Sequence, residues 1–357
     1  MSAPAVRRTA SVQVVGLTGL GEVTQGQDLA RLVVDALHAQ RASLADGDVI
    51  AVSSKVVSKA AGLSAPAEDR ERVVAAQTRR VVAERRTPAG VARVVEAAAG
   101  PVMAAAGVDA SNVADGTVLL LPDDCDAVAA RLRADLHELT GAVVGVVVTD
   151  TAGRPWREGQ TDFALGAAGL VVLDDLRGAP DSAGRTLTVT ARALADEVAA
   201  AADLVKGKTD GVPAALLRGL SHLVTAGDGA GARELVRGAA GDWFRLGHVE
   251  AVRAAIGAAD VEPAPVVPGP LPERLARCAQ VATAGGPGSA GGAEAVAADV
   301  LGARFGMSPG LRLRSADPFA LGALTQRVLA ALWAEGLTGS VERVAADEVV
   351  VRVPDPA

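Results

Sequence analysis

The chain has 357 residues, more than one hydrophobic core usually organises, which predicts two domains or one domain with an appendage. Half of the residues are apolar but only 2% are aromatic, and the formal net charge at pH 7 is −7. This composition argues against binding of single-stranded nucleic acid, which requires basic grooves and aromatic stacking platforms.

The two cysteines and the apolar segments indicate a cellular compartment. Cys125 and Cys278 lie far apart and match no CxxC or Cys/His spacing, which excludes a zinc module and fits a reducing cytosol. We expect both to be ordinary buried thiols. The N-terminus has no apolar segment long enough for a secretory signal, and no apolar run reaches the roughly 18 residues of a membrane span. We therefore expect a cytoplasmic protein without a membrane partner.

Hydrophobic periodicity in the first 140 residues predicts alternating strands and helices. In chain order these are a strand at 11–16, a helix at 27–41, a buried strand from Val49 to Val52 followed by a polar turn, a charged helix at 68–84, strands at 91–96 and 117–121, and a helix at 124–139.

The second part of the chain begins with its clearest strand, 141–150, which is apolar throughout and should be covered on both faces. An Arg/Gly-rich loop, a strand at 186–190 and a helix at 192–206 should follow. Pro-rich composition predicts a linker at 258–273 between a domain at 11–250 and a small C-terminal module at 274–357. That module should contain a helix at 320–335 and a strand at 347–353.

The segment TDTAGRPWREGQTD carries the strongest local signal for a site. The buried strand would deliver the oxygen ligands of Asp150 and Thr151 to its C-terminal tip, where α/β proteins bind substrates. Arg154 and Arg157 could each hold a phosphate or carboxylate bidentately. The alternative is a solvated turn with a helix cap.

Two further segments suggest binding of a metal and of phosphates. In AAAGVDASNV, Asp109 offers the carboxylate oxygens that Mg²⁺ and Mn²⁺ prefer, with Asn112 beside it; an Asx turn is the alternative. In SSKVVSKAAG, two hydroxyls and two lysines suit a polyphosphate, and a solvated lysine face is the alternative. The residues of this second group are Ser54, Lys55, Ser58 and Lys59.

Familiar nucleotide motifs are absent from the sequence. GKT at 207–209 lacks the upstream glycine of a P-loop because position 202 is alanine, and Gly19-Leu20-Gly21 is followed by Thr24 where a dinucleotide fingerprint needs glycine. The four histidines show no ligand spacing, and no nucleophile motif is present. Another type of fold would have to hold a nucleotide.

The order and wording of five segments resemble the F420-0:γ-glutamyl ligase family over residues 11–250: GLGEV, DGDVIAVSSKVVSKAAG, AAAGVDASNV, TDTAGRPWREGQTD and LVKGKTDGVP. The resemblance implies a mixed α/β (α+β), two-lobed ligase domain, followed here by a small α+β C-terminal module. It also implies an intertwined homodimer with sites near the subunit interface.

The same resemblance implies the reaction and its cofactors. Such ligases use GTP as co-substrate to activate the terminal carboxylate of F420-0, couple it to the α-amine of L-glutamate, and release GDP and phosphate. Further glutamates can follow through γ-links. Two Mg²⁺ or Mn²⁺ ions are implied, with K⁺ as a candidate additional ion.

Matching positions supply the expected site residues. Catalysis is expected at Asp150, Thr151 and Arg154, and metal binding at Asp109, Asp150 and Thr151. The expected nucleotide-binding residues are Leu20, Gly21, Glu22, Val23, Ser54, Lys55, Lys59 and Asn112, with Lys206, Gly207, Lys208 and Thr209 near the phosphates.

The sequence departs from the family pattern in three places. Gly21 replaces a usual proline, and Lys208 stands where archaeal relatives place a side chain of the metal site, which would exchange a ligand for a cation. Many bacterial relatives also carry a longer, flavin-dependent nitroreductase-like domain. Only about 100 residues follow the linker here, without an Arg-rich flavin-phosphate motif, so FMN is not expected.

Two other functions stay open at this point. The chain could be a non-catalytic module that sequesters F420 or a nucleotide, although retention of Asp109, Asp150 and Thr151 argues against it. It could also be a flavin-dependent oxidoreductase through its C-terminal part, in which case the purified protein would be yellow.

Overall fold

The computed structural model describes residues 11–87, 90–238, 241–258, 269–284, 297–302 and 308–354. The chain divides into two compact units: unit 1 comprises Met1–Arg79 and Val94–Gly241, and unit 2 comprises Arg80–Arg93 and Asp242–Ala357. Of the predicted linker, residues 259–268 lie outside the described set. Helices and several sheets are mixed along the chain, which confirms the predicted mixed α/β class.

The α-helices are α1 (Leu29–Ala39), α2 (Ser54–Ala61), α3 (Arg70–Ala76), α4 (Cys125–Thr140), α5 (Leu194–Lys206), α6 (His248–Ala255), α7 (Leu271–Thr283) and α8 (Pro318–Ala334). The strands are β1 (Gln13–Gly16), β2 (Val49–Ser53), β3 (Ser64–Pro66), β4 (Thr78–Thr87), β5 (Gly90–Ala97), β6 (Val102–Ala104), β7 (Thr117–Leu119), β8 (Gly145–Arg154), β9 (Arg157–Ala168), β10 (Leu173–Asp175), β11 (Ala191–Ala193), β12 (Ala214–Arg218), β13 (Ala297–Leu301), β14 (Gly310–Arg314), β15 (Ser340–Arg343) and β16 (Glu348–Arg352).

A five-stranded sheet in the order β1-β12-β2-β8-β9 forms the centre of unit 1. β2 and β8 are parallel, and the other neighbours are antiparallel. Alternate residues of β2 enter two different cores: Ile50 joins the core with α1 and α4, whereas Val49 joins the core with α5. β8 alternates in the same way, with Val146 in the first core and Val147 in the second, so the apolar strand predicted before Asp150 is covered on both faces, as expected.

Local sequence signals explain where the helices on this sheet begin. Asp28 caps α1 by accepting a hydrogen bond from the Arg31 amide at 3.0 Å, and Asp124 caps α4 through the Ala127 amide at 3.0 Å. Both helices, together with α5, lie where periodicity predicts them. Among the described residues, no helix combines the length and apolarity needed to cross a membrane.

Three predicted elements near the start of the chain differ from the structure. The polar turn predicted after Val52 is wrong, because α2 begins at once and ends at Gly62 in the left-handed region. The helix predicted at 68–84 is correct only over α3; the following Arg- and Val-rich residues form β4 instead. The strand predicted at 117–121 stops at Leu119 as β7.

The strand predicted at 141–150 begins later and continues further. β8 starts at Gly145 and runs past Asp150 to Arg154, because β9 pairs with it along this whole length. The predicted Arg/Gly-rich loop is thus a hairpin, and Asp150 lies inside a strand rather than at its tip. The predicted strand at 186–190 is also wrong, since only an isolated bridge joins Pro180 to Thr186 there.

Unit 2 contains a four-stranded antiparallel sheet in the order β13-β14-β16-β15 and the helices α6, α7 and α8. Leu311, Leu313 and Val351 of the sheet pack with Leu275 and Leu332 of the helices in a separate core. The predicted helix at 320–335 and strand at 347–353 correspond to α8 and β16.

Both cysteines are free and buried. Burial raises the pKa of each thiol, that of Cys125 and that of Cys278, to about 12. At neutral pH both are therefore protonated, unreactive thiols, as the sequence predicts.

Candidate active site

A cavity of about 570 Å³ opens in unit 1 where five segments of the chain converge. These are the loop after β1, the start of α2, the loop around Asn112, the middle of the β8–β9 hairpin and the loop between α5 and β12. The predicted site residues that line it are Gly21, Glu22, Val23, Lys55, Lys59, Asn112, Thr151, Lys206, Gly207, Lys208 and Thr209.

Helix α2 supplies two lysines to one side of the cavity. Lys55 and Lys59 are four residues apart and thus share a helix face. The ammonium of Lys55 lies 2.7 Å from a carboxylate oxygen of Asp109, and that of Lys59 lies 2.6 Å from a carboxylate oxygen of Glu22. Each lysine is thus held by a neighbouring carboxylate at the cavity wall.

Asp109 lies in a turn that fixes its carboxylate. One oxygen accepts a hydrogen bond from the Ser111 amide at 2.8 Å, and the other accepts one from the Ser111 hydroxyl at 3.1 Å. Burial works to raise the pKa of Asp109, but Lys55 and Ser111 together hold it below its usual value. The Asx turn is therefore present, and the Asp109 carboxylate within it is charged.

Asp150 is partly buried, and burial raises the pKa of its carboxyl to about 6. The Thr151 amide and the Lys208 ammonium oppose this shift, while the charge of Asp109 adds to it. The charges of the two carboxylates therefore repel each other, and a divalent cation between them would relieve this repulsion.

The donor set can be compared with what a metal ion requires. Within the described ranges, no group of three or more His, Cys, Asp or Glu side chains is arranged to hold a metal ion. Mg²⁺ commonly uses one or two carboxylates and takes its other oxygens from water and substrate phosphates. Asp109, Asp150 and the Thr151 hydroxyl fit that mode of binding and do not fit a closed, all-protein site.

A buried polar network supports the hairpin beside these residues. Asp162 of β9 lies opposite Thr151 and accepts hydrogen bonds from the hydroxyls of Thr149 at 2.8 Å and Thr151 at 2.5 Å. The Lys206 ammonium, at the end of α5, lies 2.5 Å from the same carboxylate. The pKa of Asp162 is lowered because these partners outweigh its burial.

The loop after α5 closes the cavity on the remaining side. Gly207 has a φ of 62°, and a side chain there would collide with Asp210. Lys208 donates a hydrogen bond to the Thr151 hydroxyl, while its backbone carbonyl accepts one from the side-chain Nδ2 of Asn112 at 3.3 Å. The loop thereby adds a fourth cation, Lys208, whose charge acts on Asp150.

Comparison with known proteins identifies the family. Residues 19–219, more than half of the chain, match a family model that is described as F420-0:Gamma-glutamyl ligase. The chain belongs to this family. All residues that line the cavity fall inside the matched segment.

Three proteins named Coenzyme F420:L-glutamate ligase are similar to this F420-0:gamma-glutamyl ligase family member. The chain is 41% identical over 244 residues to that of Methanopyrus kandleri, covering 63% of this chain and 94% of the relative. It is 41% identical over 248 residues to that of Halobacterium salinarum, covering 64% and 93%. It is 37% identical over 253 residues to that of Methanothermobacter thermautotrophicus, covering 66% and 99%.

Five residues expected at the ligase site do not line the cavity: Leu20, Ser54, Asp109, Asp150 and Arg154. Asp109 is ion-paired with Lys55, which lines the cavity, and Asp150 directly precedes Thr151, which also lines it. Leu20 is buried in the apolar core, and Ser54 is buried as the first residue of α2. Arg154 lies on the exposed end of the β8–β9 hairpin, where it donates a hydrogen bond to the carbonyl of Glu158 at 3.2 Å.

Two acidic residues at the cavity were missed by sequence reasoning. Asp162 closes the predicted TDTAGRPWREGQTD segment, and only the register of the hairpin reveals that it faces Thr151. Asp203, one turn before Lys206 on α5, also lines the cavity; burial and the nearby charge of Asp162 raise its pKa. The sequence offers one signal for Asp203, namely that it stands three positions before Lys206 on the same predicted helix.

Proposed function

We propose that this member of the F420-0:gamma-glutamyl ligase family joins L-glutamate to coenzyme F420-0 in a reaction that consumes GTP. One observation carries the proposal: lysines from two parts of the chain line a single cavity inside the matched segment, and the interacting carboxylates Asp109 and Asp150 lie next to residues that line it. The names of the relatives in three archaea support the same substrate. The lysines are Lys55, Lys59, Lys206 and Lys208.

The nucleotide is proposed to lie between α2 and the loop after α5. Phosphoryl transfer relies mainly on positioning and on neutralising phosphate charge, which Lys55, Lys59 and Lys208 are suited to do. Lys206 is already paired with Asp162, so we assign it to holding the loop rather than to contacting phosphate. Backbone amides around Gly207 would approach the phosphates closely, because no side chain intervenes there.

Asp109, Asp150 and Thr151 are proposed to hold Mg²⁺ or Mn²⁺, with K⁺ as a candidate additional ion. When bound, a divalent ion would neutralise phosphate charge and act as a Lewis acid on the transferred group. Lys55, now paired with Asp109, would then be available to the nucleotide phosphates.

In the proposed reaction, the terminal carboxylate of F420-0 attacks the γ-phosphorus of GTP, and GDP leaves. The α-amine of L-glutamate then attacks the resulting acyl phosphate, and the amide forms as inorganic phosphate leaves. The lysines stabilise the negative charge, while the cavity keeps water from the acyl phosphate. Further γ-linked glutamates would follow by the same chemistry, and the working form is proposed to be a cytoplasmic homodimer.

The purified protein should be incubated with F420-0, GTP, L-glutamate and Mn²⁺, with each component omitted in turn. Mass spectrometry of the deazaflavin should show a gain of one or more glutamate residues only in the complete mixture. Product formed without GTP would contradict the nucleotide assignment, and product formed after chelation of all divalent metal would contradict the metal assignment.

Asp150→Asn tests the carboxylate pair more directly. We expect turnover to fall by at least about 100-fold, because asparagine removes one charge of the carboxylate pair. The protein should stay folded, because burial already disfavours the charged form of the Asp150 side chain. Asp175→Asn is the matched control, since Asp175 is ion-paired with Arg177 at the surface of the same unit. Full activity of Asp150→Asn would exclude this carboxylate from the site.

A further inference from the structure

The β8–β9 hairpin extends beyond the central sheet as a two-stranded arm. β2 pairs with β8 only as far as Ser53, which lies opposite Thr149. Beyond that point β8 and β9 pair with each other until Arg154 meets Arg157. Residues 150–163, called the arm below, thus project from the sheet, and residues 153–160 are exposed.

The tip of the arm carries an aromatic side chain in an unfavourable position. Trp156 follows Pro155 and has a φ of 62°, a left-handed conformation that a type II turn normally gives to glycine. A bulky residue there costs about 1 kcal/mol or more, and the Trp156 side chain is also 92% exposed. Folding accounts for neither feature, and backbone strain of this kind is concentrated at functional sites.

Aromatic residues are scarce in the segment that matches the family. Between positions 19 and 219, the aromatic residues are Trp156 and Phe163 alone. Both belong to the arm, and Phe163 is partly buried opposite Asp150. A planar ligand that needs a stacking partner in this segment therefore finds an accessible one at Trp156.

The dimensions of the arm suit an extended ligand that reacts at the cavity. Thr151 lines the cavity at the root, and five residues of strand at about 3.3 Å each carry the chain about 17 Å to Trp156. F420-0 has a planar deazaflavin ring joined through a ribityl chain and a phosphodiester to the reacting carboxylate. With covalent bonds of about 1.5 Å, its ring and its reacting end lie on the order of 10 Å or more apart.

The charges on the arm match the middle of such a molecule. Arg154 and Arg157 flank the tip and lie opposite each other in the hairpin. Arginine binds phosphate oxygens bidentately, and both guanidinium groups are exposed. From root to tip, the arm thus presents a hydroxyl and carboxylates, then two cations, then an aromatic ring.

We infer that Trp156 is a specificity-determining residue that stacks on the deazaflavin ring of F420-0, while Arg157 binds its phosphodiester. The inference rests on the proposed function, because that function places the reacting carboxylate at the root of the arm. Aromatic stacking holds the ring, and the strained turn keeps the indole directed away from the protein surface. The arm therefore selects the coenzyme precursor independently of GTP and L-glutamate.

Steady-state ligation kinetics test the role of Trp156. Trp156→Ala should raise KM for F420-0 about tenfold, since stacking on an aromatic side chain is worth about 1–3 kcal/mol, with KM for GTP and for L-glutamate unchanged. Trp156→Phe should restore most of the loss. Trp243→Ala is the matched control, because this tryptophan is 91% exposed but lies in unit 2.

Direct binding separates this inference from the proposed function. Fluorescence anisotropy should show that Trp156→Ala weakens binding of both F420-0 and the free ribityl deazaflavin, which lacks the phospholactyl group. Arg157→Ala should weaken binding of F420-0 alone. If the wild type binds F420-0 in this pattern but forms no product, the proposed function fails and the role of the arm stands.

Two results would overturn the inference. One is an unchanged affinity of Trp156→Ala for F420-0. The other is a variant that changes from dimer to monomer in sedimentation with equal losses for all three substrates, which would show that the indole contacts a second copy of the chain.

Discussion

The side chains of Lys206 and Asp162 are both only 4% exposed, yet they carry opposite charges 2.5 Å apart at the wall of the cavity. Removing one partner of such a pair leaves the other charge buried without compensation. We expect Lys206→Met to lower the free energy of unfolding by about 3–5 kcal/mol, measured by denaturant titration without ligands. The two threonine hydroxyls on Asp162 would not replace the lost cation, since they carry no charge.

The chain offers a control for this change at a neighbouring position. Lys208→Met makes the same substitution two residues away on an exposed lysine, where the cost should stay below about 1 kcal/mol. Adding Asp162→Asn to Lys206→Met should recover part of the lost stability, because no buried charge is then left alone. Strictly additive losses would show that the pair is not coupled.

Residue identity predicted much of the cavity but not its supporting network. The lysines stand in recognisable segments and line one opening, and Asp109 is ion-paired with one of them, Lys55. Asp162 could not be identified in the same way, because its role depends on standing opposite Thr151 in a hairpin. Such a pairing is a property of strand register, which a search for motifs along the chain does not test.

At the scale of elements, apolar periodicity located the helices on the central sheet and the strands β1, β2 and the apolar part of β8. It missed β9 and β12 of the same sheet, and it failed at β4, where charged residues dominate. β4 was predicted as helix because its Arg and Glu residues suit a solvated helical face, whereas its Val residues and its pairing favour a strand. For β8, the sequence predicts that the strand ends at Asp150, because its run of apolar residues stops there. Its continuation depends on β9, a partner that no local signal in β8 reveals.

Close contact between β9 and α4 gives a prediction at this scale. Gly166 lies against the backbone of Cys125, and an added methyl group would collide with that residue's carbonyl oxygen. We expect Gly166→Ala to destabilise the protein by about 1–3 kcal/mol or more, because backbone cannot move aside as a side chain can.

Gly153 provides the comparison, because it lies in the same hairpin and nothing stands within 4 Å of the position that an added methyl group would occupy. The free energy of unfolding of Gly153→Ala should lie within about 0.5 kcal/mol of that of the wild type in the same thermal or chemical denaturation. Equal effects of the two substitutions would mean that β9 and α4 separate more readily than the structure indicates.

At the scale of the whole molecule, each unit has a hydrophobic core of its own. The cavity and most of the segment that matches the family lie in unit 1, while unit 2 has a buried cluster of charged residues. Glu335 is 8% exposed and lies 3.0 Å from a guanidinium nitrogen of Arg277, with Arg253 and Arg274 each at 3.8 Å. One buried carboxylate thus compensates three arginines between the helices of unit 2.

Glu335→Ala should therefore destabilise unit 2 selectively, by about 3–5 kcal/mol, because three guanidinium groups would lose their common counter-charge. Hydrogen exchange followed by mass spectrometry should show lost protection in α7, α8 and β16, with β2 and β8 unchanged. Glu342→Ala, which removes an exposed carboxylate 3.6 Å from Arg352 in the same unit, should leave all of these segments protected. If β2 and β8 lose protection together with α8, the two cores unfold as one cooperative unit, and ligase activity would then depend on unit 2 for stability.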